Sequence, residues 1–392
     1  MLIYTPYTRA LPLGKTQSRP HYSLVVPVFS GSNNWRRNKQ MKRYGYLYEK
    51  IYAMDNIQRA HKNARKGKRH YREVKRINAD PEKYFEEIQC MLKNHTYRTS
   101  KYVRITKKTR SGKVREICKL PYYPDRIVHH AIMQVLEPIW QKSLIRDTYA
   151  AIKNRGIHDG VERIKKALRD KENTTYCLKF DIRKYYPSIR NETLKQIIRN
   201  KIKDTEVLML LDEIIDSVKG VPIGNYLSQY FGNLYLSDFD HWAKESLGLR
   251  YYFRYCDDVV ILHNDKKYLH DIKEMMAKRL LGTRGLVIKS NWQVFPVESR
   301  GIDFLGYVFY HNYVLLRKSI ALLFKQKVRR LQERWEYVSS VHAISMIMSY
   351  LGWCKYANSN NLIRSIIRYN IFWIIKQKSV EAGIRNPLQG RS

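Results

Sequence analysis

The 392-residue chain has no run approaching the roughly 18 consecutive apolar residues that a membrane-spanning helix requires, so no membrane partner is expected. Its N-terminus, MLIYTPYTRALPLGK, lacks the basic stretch, apolar core and small-residue cleavage site of a secretory signal, and the cytosol is the expected compartment. Cysteine is scarce as well. Cys90, Cys118, Cys177, Cys256 and Cys354 stand singly, with no C-x-x-C pair and no cysteine–histidine cluster at zinc spacing, so free thiols and no structural zinc are expected. Acids are few relative to bases: 35 Asp+Glu face 73 Lys+Arg, a formal charge of +38. Such an excess repels itself in a compact fold unless a polyanion neutralises it, which favours a nucleic-acid partner. A ribosomal-type binding protein or a solvated basic surface fits the composition equally.

The length allows two or three packed units, since single domains run to about 100–200 residues. Residues 1–40, rich in Pro, Gly, Ser and Asn, read as a poorly ordered extension, and Met41 opens a more regular pattern. From Arg59 to Arg76 nine basic residues meet one acid, Glu73; within this stretch Arg65, Lys66, Lys68 and Arg69 are candidates for a basic helix on a phosphate backbone, against the alternative of a solvated face. Pro81 to Lys93 has helical spacing, and Tyr102 to Leu120 alternates around Ser111-Gly112 as a hairpin does. Helices are expected at Asp125 to Trp140, Asn191 to Val218 and Lys267 to Leu281, with a helical tail from Ile320. Strands are expected at Cys177 to Asp181, Tyr251 to Cys256 and Val259 to His263, with a strand pair around Val294 to Tyr310. Helices on one side of a small antiparallel sheet make the expected fold class α+β.

The chemistry concentrates at Tyr255-Cys256-Asp257-Asp258, flanked by RYYFRY and VVILH. Side chains on a strand alternate between faces, so two adjacent carboxylates approach one site only where the chain turns. A divalent cation relieves their repulsion, because hard cations take oxygen ligands; yet Asp is also an ordinary turn former. A third carboxylate, Asp181, closes another short apolar strand in LKFDIRKYYPSI. Strand-end carboxylates converging on one point can hold two divalent ions about 3.5–4 Å apart, an arrangement suited to phosphoryl displacement. Asp181 alone fits a turn cap or a pair with Arg183 equally well.

At this point the sequence resembles the reverse transcriptases, from about Tyr102 to Leu362, through KKTRSGKVREICKLP, DRIVHHAI, LKFDIRKYYPSI, GVPIGNYLSQYFGNLYLSDFD, YFRYCDDVVIL and GIDFLGYVF in order. The resemblance implies a right-hand polymerase: basic N-terminal helices and fingers over 41–175, a palm over 176–312 with a fingers segment interleaved near 190–220, and a helical thumb and tail over 313–392. It implies DNA synthesis on an RNA template from a DNA or RNA primer and dNTPs, with two Mg²⁺ ions, or Mn²⁺, held by Asp181, Asp257, Asp258 and the carbonyl of Ile182. Tyr186, or Tyr185 beside it, matches an aromatic gate against the ribose 2′-hydroxyl. Arg115 matches a triphosphate-binding arginine, with Lys107, Lys108 and Lys113 as helpers; an ion pair near Glu116 would look the same in sequence. Gly224 would let the backbone approach the nucleotide and template base, and Leu305-Gly306 fits a primer-contacting turn.

Three departures narrow the resemblance. Ile223 stands where many relatives carry glutamine before this glycine, Ser228-Gln229 replaces Ser-Pro, and RGIHDG occupies 155–160. These resemble the reverse transcriptases of diversity-generating retroelements, bacterial or phage-encoded enzymes that copy a template repeat with errors at adenines in mutagenic retrohoming, with a small basic accessory protein. SYLGWCKYANSNNL at 349–362 resembles their thumb, where Trp353, Tyr356 and Asn358 are candidate primer–template contacts and Trp353 also fits the core. The family's general-acid lysine has no clear counterpart, since Trp292 lies at about its place and Lys289 three residues earlier. Group II intron, retron and phage-defence enzymes are the nearest rivals; the tail is short for a nuclease domain, and the retron V-T-G is missing. A catalytically inactive nucleic-acid-binding protein on the same scaffold is the rival of a different class.

Overall fold

Three antiparallel sheets organise the computed structural model, which describes residues 42–108, 112, 114–334 and 337–366. The expected extension 1–40 and Lys113 lie outside the described residues. Strands β1 (Val103–Lys108) and β2 (Val114–Lys119) form a two-stranded ribbon; β3 (Tyr176–Asp181), β4 (Tyr251–Tyr255), β5 (Asp258–His263) and β6 (Gln293–Pro296) form a sheet ordered β4-β5-β3-β6; β7 (Ile302–Phe304), β8 (Tyr307–Phe309) and β9 (Val314–Leu316) form a third. The class is α+β, as the pattern of short strands and longer helices implied.

The four-stranded sheet is buried on both faces, and its strands show this as near-continuous apolar runs. Leu178, Phe180, Tyr252, Val259 and Ile261 enter a core shared with helices that include Met54–Ala64, Ile127–Gln141 and Ser228–Tyr235. Cys177, Phe253, Val260, Leu262 and Phe295 face the other way, into a core shared with β7–β9, the helix Ile157–Ala167 and the helices Lys318–Glu333 and Ser340–Cys354. The alternation follows from the period of two along a strand. A two-stranded ribbon is marginal alone, and here the backbone N–H of Cys118 donates to the Ile223 carbonyl at 2.8 Å, tying it to the body.

Two expected helices are divided. The basic stretch from Arg59 to Arg76 crosses the end of the helix Met54–Ala64, a turn in which Gly67 has φ +69°, and the start of the helix Arg72–Ala79. A left-handed residue cannot continue a right-handed helix, so Arg65, Lys66, Lys68 and Arg69 lie on a turn. Asn191 to Val218 likewise divides into Asn191–Arg199 and Thr205–Asp216, where Asp204 caps the second helix through Val207 N–H at 3.2 Å and also accepts from Leu47 N–H at 2.6 Å.

The helix Ile127–Gln141 is buried on nearly every side, and it carries His129 and His130, 1% and 7% exposed. Burial, then the charge of Arg126, lowers both imidazoles to about 3, with His129, Lys68 and Lys66 also acting on His130. Their folded-state affinity for protons is depressed, so the neutral forms stabilise the fold fully above about pH 6.5, and this contribution is lost as pH falls toward 3. Moving from pH 7 to pH 5 is expected to cost about 2 kcal/mol per imidazole. Urea midpoints compared at the two pH values check this: the difference should shrink by about that amount in His129→Gln.

Candidate active site

In the β3–β5 pair, Asp181 and Asp258 are direct cross-strand partners and share one face of the sheet; partners so placed have Cβ atoms about 4.5–5.5 Å apart. Asp257 follows Cys256 in the β4–β5 turn, where Cys256 has φ +54°. The Asp257 carbonyl accepts from Ile182 N–H at 3.1 Å, which pins the turn to the end of β3. Asp257 and Asp181 are close enough for their carboxyl groups to share a hydrogen bond. Three acids from two separated segments therefore meet at one corner of the sheet.

Their charges are mutually unfavourable. Burial, then the negative charge of Asp181, pushes Asp257 up to about 6. Burial pushes Asp258 up to about 7, with Asp181 and Asp257 adding to the rise and Lys179 opposing it. Lys289 Nζ donates to Asp181 at 2.6 Å, and Lys179 Nζ lies 3.6 Å from Asp258 and also donates to the Asp303 carbonyl. Asp258 Oδ1 is buried without a hydrogen-bond partner. Clustered oxygen donors, an orphaned carboxylate oxygen and repulsion awaiting compensation fit a hard divalent cation. Among the described residues no three Asp, Glu, His or Cys side chains are already disposed as ligands around one point; Asp181 is engaged by Lys289 instead. A polar cavity of about 400 Å³ is lined by Asp181 and Asp258 together with Lys179, Gln293, Arg300 and Asp303.

The hairpin is braced from behind by a pair that the sequence pattern did not single out. Arg254 and Asp240 are fully buried: Arg254 Nε meets Asp240 Oδ1 at 2.8 Å and Nη2 meets Oδ2 at 2.6 Å. Arg254 Nη1 donates to the Cys256 carbonyl at 2.8 Å, inside the turn that presents the acids. Tyr252 Oη and Thr148 Oγ1 also donate to Asp240, at 2.6 and 3.3 Å. Asp240 and Arg254 are 14 positions apart on different elements, and nothing local marks them as partners. Lys179 was missed too, although its place two residues before Asp181 puts it on the same strand face.

Of the two tyrosines after Asp181, Tyr185 is buried, its hydroxyl donating to the Gly232 carbonyl. Tyr186 is half-buried with Oη 3.4 Å from Cys256 Sγ, beside the carboxylate turn. Arg115 and Lys108 are exposed on the ribbon, and Glu116 pairs with Arg104 at 2.9 Å. Gly224 has φ +120°, and a Cβ there would stand 2.5 Å from the Cys118 carbonyl, so glycine is required by the ribbon docking against it. Ile223 is 37% exposed, while Gln229 lines a different cavity with Glu137, Lys153 and Tyr226.

Three motifs distant in sequence meet in space. Leu305 and Gly306, with φ of +53° and +89°, form the β7–β8 turn. A Cβ at Gly160 would stand 2.5 Å from Leu305 Cδ1, and one at Gly306 would stand 2.6 Å from Trp353. His158 stacks on Tyr356 at 4.1 Å, and Asn358 N–H donates to the Val314 carbonyl at 2.7 Å. The Leu305 side chain is buried in this joint. Trp353 packs in the joint as well.

Residues 105–309, over half of the chain, match the reverse transcriptase (RNA-dependent DNA polymerase) family model, and the chain belongs to that family. Protein YkfC of Escherichia coli K12 is 24% identical, over an alignment that takes in 50% of this chain and 63% of that protein, so the chain spans less than two thirds of that relative. Among solved structures, telomerase from Candida albicans in complex with a telomeric RNA fragment is 12% identical at TM-score 0.45, covering 74% of this chain and 61% of that one. Apo telomerase from Candida tropicalis is 14% identical at TM-score 0.46, covering 75% and 64%.

Proposed function

We propose that this protein is an RNA-directed DNA polymerase whose divalent ions are held by Asp181, Asp257, Asp258 and the Ile182 carbonyl. The observation that carries this is the cross-strand pairing of Asp181 with Asp258 beside the Asp257 turn, in a chain of the reverse transcriptase family. When bound, two Mg²⁺ ions would polarise the transferred phosphoryl group and lower the pKa of the attacking hydroxyl. The chain's own residues do the rest: the β4–β5 turn orients two acids, Arg115 and Lys108 meet the triphosphate, and Tyr186 blocks a 2′-hydroxyl. In the same proposal the fingers, palm and thumb occupy 41–175, 176–312 and 313–392. Purified protein with RNA template, primer, dNTPs and Mg²⁺ tests this. Metal-dependent incorporation supports it, and template-independent or absent incorporation counts against it.

The finer proposal is the error-prone enzyme of a diversity-generating retroelement, working with a small basic accessory protein. Ile223 carries it: its own carbonyl accepts from Cys118 N–H on the ribbon, and its apolar, partly exposed side chain offers no hydrogen bond to a pairing base. Ile223→Gln is expected to lower misincorporation opposite template adenine, since one positioned hydrogen bond contributes about 1 kcal/mol, or several-fold in error ratio. Sequencing of products from both proteins reads this, and equal error spectra would overturn it.

A further inference from the structure

The loop between Gly224 and the helix Ser228–Tyr235 carries Tyr226, an aromatic residue left 40% exposed. Exposed tyrosines usually sample several rotamers, but this ring lies flat on His130, with centroids 3.8 Å apart and planes 15° apart. His130 is itself buried on a helix packed in the larger core, so the ring rests on a rigid support. The Arg126 guanidinium lies 5.9 Å from the Tyr226 centroid, and the positive charges of Lys68 and Lys66 reach the same imidazole. Beside the ring is a cavity of about 390 Å³ lined by Tyr226, Gln229, Tyr230, Glu137, Ile152 and Lys153. Tyr230 Oη donates to Glu137 at 2.5 Å, so that wall is also held.

The place of this surface in the fold narrows what could use it. Along the helix Ser228–Tyr235, Gly232 packs against Tyr186, which in turn faces Cys256 in the carboxylate turn. From Ser228 to Gly232 the helix rises about 6 Å at 1.5 Å per residue, and Tyr226 lies two residues before Ser228. Flat aromatic surface rimmed by cations suits an unpaired base with its phosphates: the base supplies a π-face and the backbone the negative charge. Paired bases are already stacked on both sides and gain nothing there.

We propose that Tyr226, braced on His130, is a stacking platform for an unpaired base of the template strand, with Arg126, Lys66 and Lys68 receiving the adjoining phosphates. The identity of the strand rests on the polymerase function proposed above. Lys66 and Lys68 lie on the turn at Gly67 that divides the basic stretch, near enough for their charges to act on His130. Tyr226 thereby acquires a role that the GVPIGNYLSQ segment alone did not suggest.

The test uses the full chain and a primer annealed to a template with a single-stranded overhang, carrying 2-aminopurine at each overhang position in turn. Stacking quenches 2-aminopurine fluorescence, so wild type is expected to quench strongly at one position. Tyr226→Phe and Tyr226→Trp should keep that quenching. Tyr226→Leu should abolish it and weaken binding of the overhang substrate by about 5- to 150-fold, as loss of one base–aromatic stack does, with binding of a blunt duplex unchanged. Unchanged quenching in Tyr226→Leu, or an equal loss on the blunt duplex, overturns the platform. Position-specific quenching without dNTP incorporation leaves the platform standing while removing the polymerase function. Failure of wild type to bind primer–template removes both.

Discussion

Asp257→Asn is expected to reduce metal-dependent dNTP incorporation by more than about 100-fold while leaving the protein at least as heat-stable as wild type. The lower bound follows from losses of 10- to 100-fold when a group merely supporting a metal ligand is removed; Asp257 is proposed as a ligand itself. Stability should move the other way because the wild-type carboxylate is pushed up to about 6 by burial and by Asp181. An amide of the same shape removes that repulsion, and functional sites commonly carry such strain at a cost in stability. Thermal melts with and without Mg²⁺ or Mn²⁺ give a readout independent of catalysis. Wild type should gain stability on adding metal, since a ligand that binds only the folded state stabilises it, and Asp257→Asn should gain much less. Equal metal-induced shifts, or unreduced incorporation, would remove Asp257 from the metal site.

The largest loss of stability is expected at Asp240. In Asp240→Ala the Arg254 guanidinium stays fully buried without its carboxylate, a situation that costs about 3–5 kcal/mol. Arg254→Met with Asp240→Leu removes both charges and should recover much of that loss, as apolar replacements of buried ion pairs often do. Activity should not recover with it, because Arg254 Nη1 also donates to the Cys256 carbonyl and the replacement leaves the carboxylate turn without that support. Urea unfolding and incorporation assays on the single and double variants separate the two effects. A double variant with both full stability and full activity would show that the pair contributes only packing.

Much of the site was legible because its signals are local. The strands flanking Asp257-Asp258 announce themselves as apolar runs, and an adjacent acidic pair between two strands requires a turn. The helices were legible where spacing or caps mark them, as at Pro81–Lys93. They were misjudged where a single residue interrupts them: Gly67 divides the basic stretch, and Asp204 starts a new helix by capping it. Between Tyr185 and Tyr186 the sequence is indifferent, since adjacent aromatics are chemically alike; packing buried the first against Gly232 and turned the second to Cys256.

What the sequence by itself determined is the set of acids, the α+β class and the excess of positive charge, because each depends on residue type and short-range periodicity. What only the tertiary structure decided is which distant residues serve those acids. The Asp181–Asp258 register, the Arg254–Asp240 brace, the meeting of Gly160, Leu305 and Trp353, and the Tyr226–His130 stack all depend on long-range packing. Close-packed interiors bring together side chains separated by tens to hundreds of positions, and such contacts leave no periodic trace along the chain.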